Sequence, residues 1–291
     1  MKIGFVKKGN ERRLAHTCES AIYPNIDSTY AVREYTGNRI RINSEPMKLG
    51  VKAWATMPAS LQGMAIYGNI LVRMANVASS TTHYVFRISD AGNLTQVATF
   101  TMPGAGHSNA LQFAPTVEEG EDYPFLYVSG IDGSCVVLRM ATGYAMTQVQ
   151  RITAPGASNL CIGDDGYLWG FSRSNGHLRF LRYRKVSVSE GATVALTEDD
   201  VLEDWLSDEV FPSATYTSQG QKVKDGKIWL PFGTTGSGQQ RCLVVYDLVA
   251  RRMHALVDLT DLANFEPEDV DFWDDALILS TYSANNYILR F

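Results

Sequence analysis

The apolar positions of this chain fall in short runs separated by turn residues, and the clearest example lies in residues 101–140, TMPGAGHSNALQFAPTVEEGEDYPFLYVSGIDGSCVVLRM. The pattern predicts strands at 109–113, 125–129 and 135–140, with a tight turn at Asp132-Gly133 between the last two. A fourth strand is expected at 147–152, before the chain turns again at Ala154-Pro155-Gly156. The same unit recurs. The lead-in TMPASLQGMAIY resembles TMPGAGHSNALQF and TAPGASNLCIG, and looser copies follow in TSQGQKVKDGKIWLPF and EPEDVDFWDDALILS.

Aligning the residue before each first strand puts Gln62, Ser108, Ser158, Gln219 and Glu268 in one column, at spacings of 46, 50, 61 and 49 residues. Self-similarity at that period describes four-stranded blades around a central channel. The expected fold is all-β, a five-bladed β-propeller over residues 49–291, preceded by an N-terminal arm at 1–48. The last copy has room for only three strands. Residues 50–57, GVKAWATM, match the fourth strands of other copies, so an N-terminal strand is expected to close the last blade. Closure leaves only short, protected sheet edges.

Turn chemistry supports the blades. Gly68-Asn69, Asp164-Asp165-Gly166 and Asp225-Gly226 each sit between a first and a second strand. GDDGYLW has the Asp-x-Gly-x-x-Trp spacing of an Asp-box but carries Ile162 in place of the leading serine, and it reads as a turn. The long spacing of 61 includes LTEDDVLEDWLSDEVF, for which a helix is expected. Thr197 would cap it, Glu198, Asp199 and Asp200 would fill its first turn, and Val201, Leu202, Trp205 and Leu206 would form one apolar face.

Bulk properties narrow the function. The net charge is −5 over 291 residues, which gives no electrostatic reason to bind nucleic acid or an anionic membrane. No apolar run reaches the length of a membrane span, and MKIGFVKKGNERR lacks the apolar core of a secretory signal. Synthesis in the cytoplasm is the expectation. The four cysteines, Cys18, Cys135, Cys161 and Cys242, form no Cys-x-x-Cys pair and read as reduced structural thiols. His16 and Cys18 stand without companions for a metal, and no motif calls for a cofactor.

First strands line a propeller's channel, so residues at their starts share one mouth. That mouth would gather Gln62, His107, Ser108, Asn109, Ser158, Asn159, Gln219, Glu266, Glu268 and Asp269 as ligand-binding candidates. The alternative is that these groups hydrogen-bond one another and channel water. A glycosidase needs two carboxyl groups on opposite sides of the scissile bond, roughly 5–9.5 Å apart. Here every mouth carboxylate comes from one Glu-Pro-Glu-Asp stretch, which disfavours hydrolysis by a carboxylate pair. The catalytic alternative is a polysaccharide-cleaving enzyme with His107 as base and Glu268 or Glu266 beside it. Neutral amides and hydroxyls with nearby aromatics suit sugar recognition, and Trp54, Trp169, Trp229 and Trp273 are available.

Gln-Gly at the first copy, Gly-His-Ser-Asn at the second, Ser-Gln-Gly at the fourth and Glu-Pro-Glu-Asp at the last resemble a group of five-bladed propellers of gut bacteria and their tailed phages, which includes helveticin-like proteins. The resemblance covers about residues 50–291. It implies that Gln62, His107, Asn109, Gln219, Glu266 and Glu268 are channel-mouth residues; Asp269 stands where that group often has glycine. It further implies a phage tail or virion protein that binds a host surface glycan, or serves as an interaction platform, and meets other virion proteins through residues 1–48. A virion component assembled in the cytoplasm and released by lysis needs no export signal.

Overall fold

In the computed structural model, side chains are described for residues 61–75, 81–102, 107–130, 132–236, 238–259, 266–274 and 276–282, with strand backbone alone at further segments. The chain is an all-β propeller; among the described residues the helical content is a single 3-10 turn, Glu198–Asp200. Antiparallel meanders succeed one another around a channel. The first joins Leu61–Tyr67, Ile70–Val77, Ser80–Ile88 and Leu94–Pro103, and the second Ala110–Phe113, Leu126–Ser129, Ser134–Met140 and Met146–Thr153. The third joins Asn159–Ile162, Leu168–Ser174, His177–Tyr183 and Val201–Val210. The fourth joins Lys222–Lys224, Lys227–Phe232, Cys242–Asp247 and Arg252–Asp258.

Where the repeat predicts five equal blades, these four sheets carry described side chains through all their ring strands. A further sheet joins Pro267–Trp273, Ala276–Thr281, Asn285–Arg290 and Gly50–Thr56, the last two described by backbone alone. Its fourth strand comes from the N-terminal side, where the sequence points: Leu289 pairs with Val51 and Arg290 with Gly50. The N-terminal arm also contributes backbone pairing. Val32–Tyr35 adds to Arg252–Asp258, and Ile40–Ile42 adds to Val32–Tyr35. The side chains of residues 1–48, His16 and Cys18 among the sequence candidates, lie outside the described residues.

Two-residue hairpins follow the glycines. Asp225 and Gly226 both have positive φ, +52° and +68°, as a type I′ turn requires, and Asn175-Gly176 repeats the device between Ser174 and His177. In GDDGYLW, Asp165 Oδ1 accepts the Tyr167 N–H at 3.0 Å and the Trp169 indole N–H at 3.4 Å, which makes the segment a side-chain-braced turn.

Each sheet is buried on both faces, which explains why its inner strands read as continuous apolar runs rather than alternations. In the second sheet Leu111, Val128, Val136 and Leu138 pack toward the first, while Phe125, Tyr127, Cys135 and Val137 pack toward the third. Phe180 and Tyr246 stack at 4.4 Å between the third and fourth sheets, and Trp229 meets Phe272 edge-on at 5.2 Å between the fourth and the one that follows. Ile278 then packs against Leu61 and Leu71 of the first sheet. Cys135 and Cys161 are buried free thiols and Cys242 is buried as well; burial pushes Cys135 up to about 12.

The segment 196–211 is a strand, not the expected helix. Thr197 and Asp200 do form a capping box, but the box ends after one 3-10 turn, and Val201–Val210 pairs antiparallel with His177–Tyr183. Its inward residues are Val201, Glu203, Trp205, Ser207 and Glu209, a period of two; Leu202, Leu206 and Val210 face out. The apolar residues fit a helical face equally well, and the unpaired edge of the third strand decided between the two periods. The extra length of that repeat is absorbed differently: Ala192–Ala195 runs parallel to Met146–Thr153 as a fifth strand on the second sheet.

The third and fourth strands of each sheet share one irregularity. Register shifts occur at Val85/Phe86, Val137/Leu138, Arg182/Tyr183, Val245/Tyr246 and Asn285/Tyr287. A bulge there raises the local twist, which turns each outer strand across the blade below it.

Candidate functional site

The sequence candidates come together at the starts of the innermost strands, but in two layers. Gln62, Ser108, Asn109, Asn159, Gln219, Glu268 and Asp269 are buried, Glu266 is partly buried, and His107 and Ser158 are exposed. The buried layer is a belt of mutual hydrogen bonds. Gln219 Nε2 donates to Gly233 O at 2.8 Å and to Glu266 Oε1 at 3.0 Å. Its Oε1 accepts Asn109 Nδ2 at 3.5 Å, and its backbone carbonyl accepts Asn159 Nδ2 at 3.1 Å. Gln62 Nε2 donates to Glu268 Oε1 at 3.4 Å.

These partners settle the amide orientations. Backbone carbonyls can only accept, so Gln219 and Asn159 must present nitrogen to them, and Asn109 must then present nitrogen to Gln219. Oxygen is what remains. Gln62 Oε1, Asn109 Oδ1, Asn159 Oδ1 and Glu268 Oε2 are buried without a hydrogen-bond partner among the described residues. They come from four innermost strands far apart in sequence; the three amide oxygens are acceptors, and the Glu268 carboxyl, protonated below about 9, can donate as well as accept.

Asp269 is the structural centre of the belt. Its Oδ2 accepts the backbone N–H of Met64 at 2.8 Å and of Leu111 at 3.0 Å, and its Oδ1 accepts Val270 N–H at 2.9 Å. One carboxylate thereby joins three sheets. Asp271 repeats the device one step along the strand, accepting Ile66 N–H at 2.7 Å. Burial raises Asp269 well above the usual carboxylate range, against the pull of its three N–H partners.

Burial and the charge of Glu266 push Glu268 up to about 9, against the pull of Arg73. Arg73 is fully buried on the second strand of the first sheet and donates to the carbonyls of Gln62 and Thr281 at 3.3 and 3.4 Å. Burial lowers it to about 10, so it stays charged at neutral pH. The signal for Arg73 was a lone charge inside the apolar run Ile70–Val77. Reading only strand starts missed it.

The sign of the pH dependence follows from Glu268. Its folded pKa lies above its unfolded value of about 4.5, so its contribution to stability is complete below that value and is lost as pH rises toward about 9. The thermal midpoint of a Glu268→Gln variant should therefore fall less between pH 5 and pH 9 than that of the parent; equal slopes in scanning calorimetry would contradict the assignment.

Of the catalytic candidates, Glu266 is the carboxyl group that feels the charge of His107, while Glu268 accepts a hydrogen bond from Gln62. Trp169 and Trp229 are buried between sheets rather than at the channel mouth. Among the described residues no group of three or more His, Cys, Asp or Glu is placed to hold a metal.

No protein-family model matches the chain, and no curated protein does. Similar solved structures include a protein from Lactobacillus plantarum, 13% identical over 78% of this chain with a TM-score of 0.38, and the WD40 β-propeller domain of Doa1, 10% identical over 83% of this chain with a TM-score of 0.40. The matches span 64% and 97% of those chains, respectively.

Proposed function

We propose that this chain is a recognition propeller which binds a hydroxyl-rich ligand, a surface glycan, at the end of the channel rimmed by His107, Ser158 and Glu266. The observation that carries this reading is the set of four unpartnered side-chain oxygens beneath that rim, three of them amide acceptors. An acceptor buried without a donor costs about 1–3 kcal/mol, and sugar hydroxyls, directly or through a relayed water, supply donors without adding charge. The belt is the rigid floor of the site, and the rim makes the contacts that choose the ligand.

The finer points belong to the same proposal. Five repeat copies, together with a closing sheet that packs between the fourth and the first, favour a ring of five blades. The resemblance to propellers of gut bacteria and tailed phages favours a virion tail protein that docks through residues 1–48. Assembly in the host cytoplasm fits that role.

The test is a panel of bacterial surface polysaccharides, followed for retention and for new chain ends together. Rim variants His107→Ala and Ser158→Tyr, which leave the belt intact, should lower retention at least tenfold with no new ends formed. New chain ends that vanish in His107→Ala would make the protein a polysaccharide-cleaving enzyme instead. Absence of both signals would leave a protein-binding platform as the function.

A further inference from the structure

A cavity of about 200 Å³ opens at the opposite end of the channel, where the innermost strands finish. It lies at the far end from the polar belt and includes none of the ligand-binding candidates read from the sequence. Gln112, Lys222, Lys224 and Asp271 supply its polar lining, and Tyr67, Phe113 and Phe272 its aromatic walls. The ends of innermost strands from five distant segments of the chain meet here.

Subtracting the bonds already made leaves a specific set of free groups. Asp271 is occupied: Oδ2 accepts Ile66 N–H, while Oδ1 accepts Phe272 N–H at 2.8 Å and Lys222 Nζ at 2.8 Å. Asp164, also on the lining, accepts Asp225 N–H at 2.6 Å. Lys222 spends one of its three N–H donors and its whole charge on Asp271. Lys224 forms no ion pair among the described residues, and its Nζ lies 4.3 Å from the centroid of Phe272. Gln112 is 2% exposed; its Nε2 donates to Val223 O at 3.3 Å, and its Oε1 has no partner. Because Val223 O can only accept, the unpaired atom of Gln112 is the acceptor.

The two lysines and two aspartates of the lining balance in charge, but Lys224 stands outside any ion pair among the described residues; the site therefore offers its ammonium, the spare donors of Lys222, one buried acceptor, and the adjoining rings of Tyr67 and Phe113, whose centroids lie 5.8 Å apart. Its complement is a small ring that bears one carboxylate and at least one hydroxyl. We infer that this cavity binds an acidic sugar unit of the uronate type. The carboxylate meets Lys224 and the spare donors of Lys222, a ring hydroxyl donates to Gln112 Oε1, and the C–H face lies on the aromatic wall. The volume is below the roughly 300–1,000 Å³ of drug-sized pockets and suits a single ring. A free acid and a uronate unit within a polysaccharide share this chemistry. The inference does not depend on the rim reading, because the two ends of the channel share no residue.

The experiment is calorimetric titration and saturation-transfer NMR of the full chain with glucuronate, galacturonate, glucose and acetate, and with a uronate-containing and a neutral polysaccharide. The uronates should bind at least tenfold more tightly than glucose or acetate and weaken as salt is raised. Lys224→Gln should cost at least tenfold, while Lys224→Arg retains binding, with unchanged thermal midpoints in both. Binding of the polymer but not the monomers would locate the natural ligand within a chain and keep the inference. Equal binding of glucose, a Lys224→Gln variant that binds like the parent, or no binding of any acid at tens of millimolar would overturn it. His107→Ala should leave the uronate titration unchanged, so failure at one end of the channel is separable from failure at the other.

Discussion

Asp269→Ala is expected to cost about 4 kcal/mol or more, enough to leave much of the chain unfolded at physiological temperature. The carboxylate accepts N–H groups from Met64, Leu111 and Val270, on innermost strands of three different sheets. Alanine strands all three donors in a fully buried position, and each unsatisfied buried donor costs about 1–3 kcal/mol. Water could relieve part of this by filling the space left behind, so the sum is not simply three such costs. Asp269→Asn is the informative partner: it keeps the size and one acceptor oxygen but turns an N–H group toward donors. It should lose less than alanine, about 2–3 kcal/mol. Denaturant melts of both variants check the order. A loss under about 1 kcal/mol for alanine would mean that the three strands are held together by packing alone.

Gly220→Ala is expected to be nearly as damaging, about 3 kcal/mol, or a fall of roughly 6–12 °C in thermal midpoint. A Cβ at this position would lie 2.3 Å from Asp269 Oδ1 and 2.6 Å from the backbone carbonyl oxygen of Asn109. Neither can move aside: the carboxylate is held by its three N–H partners, and the carbonyl belongs to the second sheet. Gly220 itself donates its N–H to Glu268 O at 2.6 Å, so the strand cannot retreat without giving up that bond. The requirement is for space, since Gly220 has no positive φ. Gly236→Ala is the control. A Cβ there makes only ordinary contacts, with Thr234 Oγ1 at 3.5 Å and Gln239 Cγ at 3.6 Å, and the change should stay within about 0.5 kcal/mol. Thermal scans that failed to separate the two alanines would show that the close approach at Gly220 relaxes at little cost.

These two residues show where sequence reading stopped. The repeat column pointed at the neighbourhood, because Gln219-Gly220 and Glu268-Asp269 stand at equivalent places in two copies. Asp269 read as one more polar lining group. Its role as a bracket between sheets rests on backbone N–H groups 205 and 158 residues away, and a sequence does not display backbone donors. Arg73 and the far cavity were hidden for a related reason: Lys222, Gln112 and Asp271 are ordinary residues in their own strands and become a site only when the ring brings their ends together.

The helix expected at 196–211 failed on local ambiguity. Thr197, the expected cap, forms a capping box with Asp200, and the apolar positions satisfy a period of 3.6 about as well as a period of two. The free edge of His177–Tyr183 offered a ladder of backbone partners that an isolated helix could not match.

Most of the strands, the hairpin turns, the repeat and the source of the closing strand were legible in the chain, because each depends on neighbours in sequence and on a period that survives in a single copy. Which polar residues are buried, which bonds they make and which oxygen atoms are left over depend on contacts between copies, across separations from 47 to 206 residues. The ring sets those contacts through twist, bulges and close approach, and they leave no periodic mark in the amino-acid sequence.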